Sequence, residues 1–421
     1  MKICIVSFYS PQTSAGGLER YLDTIMKELD KRNVEVHFVT ASYGKDEVEK
    51  VGNITFHKIK AMSLKTRNKN QAAKNFYKYL KKLIKKEKID VISAENFQRI
   101  HPSFIFAVNL ASMETKTPVV LRMHNHFKND FEESLVKDLF WDKVIPVSRN
   151  VSSLAYNSGV EINKISTIYP PINTEIFKPG LGKEWLRSRI NVGKKDIVLL
   201  HASRITGSVK LDGLKEKGVL NLIKAFSLIT QHHKNAKLLI ATAMPPPSWK
   251  KEYEKSIKRI YEIAELNGVK DRVIVQSFKL EEMPLVYNGS DIYVMASRME
   301  SFGLVYAEAL ACEIPVLGTS VGGIPEIIDS GKTGYLTEPD NPVELSKRLE
   351  LLLHDEKKRK LMGKRGRKIV EKRFGLNKIT DNLVGVLNSI VYKKPKPNGT
   401  TTKPKEKKKN NKKQEKQEVL L

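Results

Sequence analysis

The sequence predicts an α/β protein of two doubly wound (Rossmann-like) domains facing a central cleft. Three observations carry this. Short apolar runs alternate with stretches of helical apolar spacing through both halves of the chain. A proline-rich stretch, from Tyr169-Pro170-Pro171 to Pro179, separates the two halves. A length of 421 residues, 40% hydrophobic and 29% charged, suits two ordinary cores.

In the first half, residues 3–8 form a short apolar run, and residues 11–17 form a loop of small residues. Helical spacing follows over 18–31 through Leu22, Ile25, Met26 and Leu29. Residues 34–40 and 54–59 read as further strands. Residues 71–88 predict an amphipathic helix, with Phe76, Leu80, Leu83 and Ile84 on one face and lysines on the other. Strands over 89–93, 119–124 and 144–147 complete a sheet expected to be parallel, because helices lie between its strands.

The second half restarts the pattern. A strand over 197–201 precedes a helix over 218–230 and a strand over 236–242. A proline triplet at 245–247 starts a helix that ends near Leu266. Strands over 273–276, 291–296, 315–317 and 334–336 follow, then helices over 342–354, 355–374 and 376–392. The expected division is residues 1–170 for the first domain, 171–195 for a linker and 196–375 for the second domain. Residues 376–392 form a last helix, and 393–421 a tail with eleven lysines, three glutamates and few apolar residues. Such a composition predicts disorder.

Composition narrows the function further. No apolar run reaches the roughly 18 residues that a membrane-spanning helix needs; residues 103–113 come nearest. The N-terminus goes directly into a strand without a signal-peptide pattern. Cys4 and Cys312 both fall in apolar elements and are expected to be reduced, which predicts a cytosolic protein. The net charge of +27 is concentrated in places: residues 58–88 hold twelve lysines and arginines against the single acid Glu87. A segment of this kind predicts peripheral contact with an anionic membrane, at the inner face of the cell membrane. Nucleic acid is not expected, because the lysine-rich tail lacks interleaved aromatic residues. Gly331-Lys332-Thr333 is not a Walker A loop, since Glu326 stands where the first glycine is required. His124 and His126 have no further ligand at suitable spacing, so no metal is expected there.

The chemistry concentrates in residues 299–334. Glu300 and Glu308 are separated by seven residues. Ser301 and Gly303 break the preceding strand, and a helix runs over 304–312, so Glu300 lies in the strand-to-helix loop and Glu308 on the helix. The amides around Phe302, Gly303, Leu304 and Val305 are unpaired at that helix start and suit a phosphate. Two carboxylates beside a phosphate site match a ligand with hydroxyls as well, such as ribose, diphosphate and sugar in line. The pair taken alone also fits a capped helix with a solvated glutamate. A glycosidase pair fits poorly: those carboxyls lie about 5 to 9.5 Å apart, and eight helical residues span roughly 12 Å.

With Ser301-Phe302-Gly303 after the first glutamate, EALAC at the second and Gly322-Gly323-Ile324-Pro325-Glu326 following, this stretch resembles the family 4 retaining glycosyltransferases of GT-B fold. The resemblance covers about residues 1–392 and implies the following. The first domain takes the acceptor, the second takes a nucleotide-diphosphate-sugar donor, and the last helix crosses back onto the first domain. Gly16 and Gly17 touch the donor diphosphate, although such a pair alone is also a plain tight turn. Arg204 and Lys217 clamp the leaving diphosphate, Glu308 holds the ribose, and Glu300 orients the sugar. His124 stands near the reacting sugar, a place where a half-buried structural histidine is equally at home.

Two departures from the family pattern stand out. Ser203 replaces a usual glycine before Arg204, and about seven extra residues precede Lys217, which leaves Lys210 as a rival. The implied reaction needs no metal or other cofactor, because basic residues neutralise the diphosphate. It gives a retained anomeric configuration on a glycan or lipid-linked acceptor, in the synthesis of an envelope polysaccharide or other surface glycan. Two other readings remain: a nucleotide-sugar epimerase of the same fold, and a structural envelope or spore-layer protein with a relic site.

Overall fold

A computed structural model describes residues 1–11, 16–63, 67–205, 213–245 and 249–392. The lysine-rich tail, Lys210 and most of the 245–247 triplet lie outside these residues. Seven strands build the first sheet: β1 (Lys2–Val6), β2 (Glu35–Ala41), β3 (Glu47–Val51), β4 (Ile54–Ile59), β5 (Val91–Glu95), β6 (Val119–Met123) and β7 (Lys143–Pro146). Their spatial order is β3-β4-β2-β1-β5-β6-β7. The helices between them are α1 (Gly17–Lys31), α2 (Lys69–Glu87), α3 (Pro102–Thr115), α4 (Asp130–Lys137) and α5 (Arg149–Asn157).

Strands β1, β5 and β6 are buried on both faces, which is why they read as continuous apolar runs. The expectation of a wholly parallel first sheet is corrected at one edge, where β3 pairs antiparallel with β4. All five residues of β3, Glu-Val-Glu-Lys-Val, are exposed, so no burial pattern marks the strand. Its charges suit an edge that must not recruit another strand.

After the short helix α6 (Glu184–Arg189), the second sheet uses β8 (Ile197–Ala202), β9 (Ala236–Ala243), β10 (Val273–Phe278), β11 (Ile292–Val294), β12 (Val316–Thr319) and β13 (Gly334–Thr337). The order is β10-β9-β8-β11-β12-β13, with every pairing parallel. Its helices are α7 (Gly213–Glu216), α8 (Val219–Ile229), α9 (Lys250–Leu266), α10 (Met283–Gly289), α11 (Leu304–Ala311), α12 (Pro342–His354) and α13 (Glu356–Phe374).

The last helix, α14 (Leu376–Val391), leaves the second sheet and packs on the first. Ile379, Leu383, Leu387 and Ile390 form one stripe, and they share a core with Ile3, Ile5, Leu22 and Ile25. Arg32 at the end of α1 donates to the Asn377 carbonyl at 3.2 Å and ion-pairs with Asp381, which fixes the crossing. Both cysteines are free and buried, and burial pushes each thiol up to about 12. Neither is a reactive thiolate near neutral pH. Among the described residues, no helix is long and apolar enough to cross a membrane.

Candidate active site

In an open parallel sheet, ligands bind at the carboxyl ends of the strands where the order reverses. The reversal falls at β1 in the first sheet, between β2 and β5, and at β8 in the second, between β9 and β11. The segment after β1 supplies Gly16 and Gly17, the one after β8 supplies Arg204, and the one after β11 supplies Glu300. These points come together. A Cβ on Gly16 would lie 3.4 Å from Arg204 Cζ, and one on Gly17 would lie 3.6 Å from Leu304 Cδ1. The glycine turn of the first half therefore sits against both Arg204 and the start of α11. Tyr9 stands at the same place: burial raises its phenol, Glu19 adds to the rise, and Arg99 and Arg204 oppose it.

Glu300 is positioned from two sides. Lys217 Nζ lies 3.0 Å from Glu300 Oε2 and 3.7 Å from Glu216 Oε1. Burial presses the Lys217 ammonium downward, but the two carboxylates outweigh it and leave it above its usual range. Gly218, with φ of 69°, begins α8; a Cβ there would come within 1.8 Å of the Ala296 carbonyl oxygen. Only glycine allows this close approach of helix start to strand end. From below, the Gly323 N–H donates to the Glu300 carbonyl at 3.0 Å, and a Cβ on Gly322 would meet the same oxygen at 1.7 Å. The glycine pair is thus the floor of the Glu300 loop.

Glu308 is buried on α11, where it accepts from the Tyr287 hydroxyl at 2.9 Å and ion-pairs with Arg20 of α1. That pair joins the first half to the second. Helix α11 starts at Gly303, with φ of 103° and no side-chain cap, so its first amides are left for a ligand. The Phe302 ring belongs to the core, 5.7 Å from Tyr169 and 5.3 Å from Phe374, which leaves only its backbone for binding.

His124 lies at the end of β6 with its Nε2 2.8 Å from Glu95 Oε2. The other Glu95 oxygen accepts from Ser93 Oγ at 2.7 Å, and the Tyr21 ring lies 4.8 Å from the imidazole. Burial lowers the His124 pKa in spite of the Glu95 carboxylate. His126 instead meets Asn150 at 2.7 Å, so the two histidines do not converge.

Sequence reasoning missed Arg20, Glu95 and Tyr287 as parts of this region, and it used Glu326 only as the end of the glycine-rich motif. Glu95 was the readable one, since a carboxylate at the carboxyl end of a buried strand calls for a partner. Nothing local points to the contacts of Arg20 or Glu326, because their partners lie more than a hundred residues away.

Two α/β domains meeting across such a cleft are the GT-B architecture. The model for "Glycosyl transferases group 1" matches residues 191–369, and that for "Glycosyltransferase Family 4" matches residues 15–176. The chain belongs to this family. The N-acetyl-alpha-D-glucosaminyl L-malate synthase of Bacillus anthracis is 25% identical over 387 residues, 87% of this chain and 92% of that protein. Spore coat protein SA of Bacillus subtilis is 27% identical over 53% of this chain and 58% of its own length. Among solved structures, Anabaena HepE in complex with UDP and glucose superposes with a TM-score of 0.74 at 20% identity, over 92% of this chain and all of that one. Sucrose-phosphate synthase from Thermosynechococcus elongatus gives 0.76 at 18% identity, over 92% and 98%.

Proposed function

We propose that the chain is a retaining hexosyltransferase that moves a sugar from a nucleotide-diphosphate donor to an acceptor hydroxyl in surface-glycan synthesis. The observation that carries this is the meeting of Gly16, Arg204 and the Glu300 loop at the two switch points. Arg204, Lys217 and the amides after Phe302 stabilise the charge that builds on the leaving diphosphate. Glu308 receives the ribose hydroxyls, and Glu300, held by Lys217, orients the sugar. The bond from the anomeric carbon to the phosphate oxygen breaks while the bond to the acceptor oxygen forms on the same face. The acceptor proton passes to the departing phosphate oxygen. His124, its imidazole kept neutral by burial, contacts a sugar hydroxyl. No metal is required, because the basic residues neutralise the diphosphate. The names of similar proteins support the class: an N-acetyl-alpha-D-glucosaminyl L-malate synthase and a fold relative in complex with UDP and glucose.

The acceptor is glycan or lipid-linked and is met at an anionic membrane. Lys74, Lys78, Lys82, Lys85 and Lys86 are exposed on α2, whose neighbour α3 exposes Phe106, Leu110 and Met113 at helical spacing. The two helices are tied at Glu114, which takes the Tyr77 hydroxyl at 2.6 Å and ion-pairs with Lys81. Lys81 is therefore already neutralised, and the exposed lysines carry the attraction.

Proton NMR of the first product formed from an α-linked donor tests the reaction. An α-anomeric signal in the product is expected; a β signal contradicts retention. Interconversion of donor sugars without acceptor would favour the epimerase.

A further inference from the structure

The described residues hold two groups of three ligand-type side chains outside the cleft. In one, Glu35, His37 and Glu87 approach one another, but each already has a partner. Glu35 pairs with Lys2 at 3.0 Å, Glu87 with Lys86 at 3.1 Å, and His37 Nδ1 meets His57 Nε2 at 3.1 Å. Two ammonium groups beside the carboxylates disfavour a cation there.

The other group is different. Glu350 and His354 lie four residues apart on α12, hence on one face. His233 comes from the turn between α8 and β9 and its ring packs edge-on against His354, with centroids 5.4 Å apart and planes at 82°. One ligand atom from each of the three residues lies within 4.8 Å of the other two. His233 Nε2 is buried and makes no hydrogen bond, although Glu350 Oε1 is only 3.3 Å away. An ordinary histidine–carboxylate contact at that distance would align as a hydrogen bond. A separation of about 3.3 Å is instead the edge of a tetrahedron whose ligands lie roughly 2.0 Å from a zinc ion.

We infer that His233, Glu350 and His354 bind a divalent transition metal of the zinc class. Two imidazoles and one carboxylate are the ligand types this ion prefers, and His354 is exposed, so water completes the fourth position. The site lies before β9, at the opposite end of the strand from the cleft, so it is a structural clasp and not part of sugar transfer. It ties α12 to the α8–β9 turn and stabilises the second sheet by preferring the folded chain.

Zinc chloride titrated calorimetrically into chelator-stripped full chain without a polyhistidine tag tests this. The lysine-rich tail has no histidine and so adds no competing ligand of that type. One zinc per chain is expected, with a raised melting temperature. His354→Ala, at the surface, and Glu350→Gln, at a partly buried position, should each weaken binding at least roughly tenfold. His37→Gln should leave it unchanged. Absence of saturable binding, or equal affinity in His354→Ala, would overturn the inference.

Discussion

The Glu326 carboxylate accepts the backbone N–H of Arg149 at 2.9 Å, so a residue of the second half caps a helix of the first. Its other oxygen accepts from the Asn150 N–H at 3.0 Å, and the Tyr169 hydroxyl adds a contact at 2.9 Å. A carboxylate on the first amides of α5 meets both unpaired donors and the positive end of the helix dipole. Glu326 closes the same segment whose glycines support Glu300, so the clasp and the floor of the site move together.

Glu326→Ala should therefore lower stability by about 1–2 kcal/mol, the scale of losing a helix cap. Turnover should fall more than donor affinity, because the Glu300 loop loses its register. Urea unfolding and steady-state kinetics on the variant check both. Unchanged stability together with unchanged turnover would remove the clasp from the account.

Glu308→Gln keeps the shape but removes the charge that Arg20 and the donor share. Donor affinity should weaken by about 1.5–3 kcal/mol, the scale of a hydrogen bond to a charged group. Stability should fall as well, since the Arg20 guanidinium is left without its carboxylate. Arg20→Met should restore part of the stability in the double variant. Equal binding of ribo- and 2′-deoxy-nucleotides by the parent would contradict the ribose contact.

Acid should destabilise the protein through its buried histidines, His57 and His201 above all. Burial lowers His57 to about 4, helped by His37, and burial lowers His201 to about 4. Between that value and the ordinary histidine range near 6.5, the unfolded chain binds protons that the folded one refuses. Stability is complete above about pH 6.5 and falls as pH drops toward 4, by on the order of a few kcal/mol. Urea midpoints at pH 7.5, 6 and 5 give the slope. His201→Gln should flatten it, and a parent whose midpoint rises on acidification would contradict the assignment.

The basic face of α2 predicts salt-sensitive binding to anionic vesicles. Changing Lys74, Lys78, Lys82 and Lys85 to Gln removes about 1 kcal/mol each near such a surface, or up to roughly 10³-fold in all. Cosedimentation at low and high salt reads this directly. Binding that is absent at low salt, or intact in the fourfold variant, would refute docking through this helix.

Much of this was legible in the sequence, and the gaps have physical causes. Strands such as β5 and β6 are apolar on both faces, and α14 shows one clean stripe, so each declares itself locally. Helix α3 did not, because Phe106, Leu110 and Met113 sit exposed among buried neighbours and erase the periodicity. Strand β3 did not, because none of its residues is buried. Glu300 and Glu308 stood out through the glycines and the loop around them. Arg20 gave no signal and Glu326 stood out only as the end of the glycine-rich motif, since only the folded chain brings Arg20 to Glu308 and Glu326 to Arg149.

Donor binding in the cleft tests the central claim most directly. UDP-, GDP- and ADP-sugars should be screened for thermal stabilisation of the parent and of Arg204→Ala. A ligand at a hundred times its Kd adds roughly 2.7 kcal/mol, well within reach of a melting measurement. One nucleotide class should stabilise the parent. Arg204 is exposed, so Arg204→Ala should melt with the parent when free, yet lose much of the ligand shift and transfer sugar roughly 10²–10³-fold more slowly. No stabilisation by any nucleotide sugar, or equal shift and turnover in Arg204→Ala, would contradict the account.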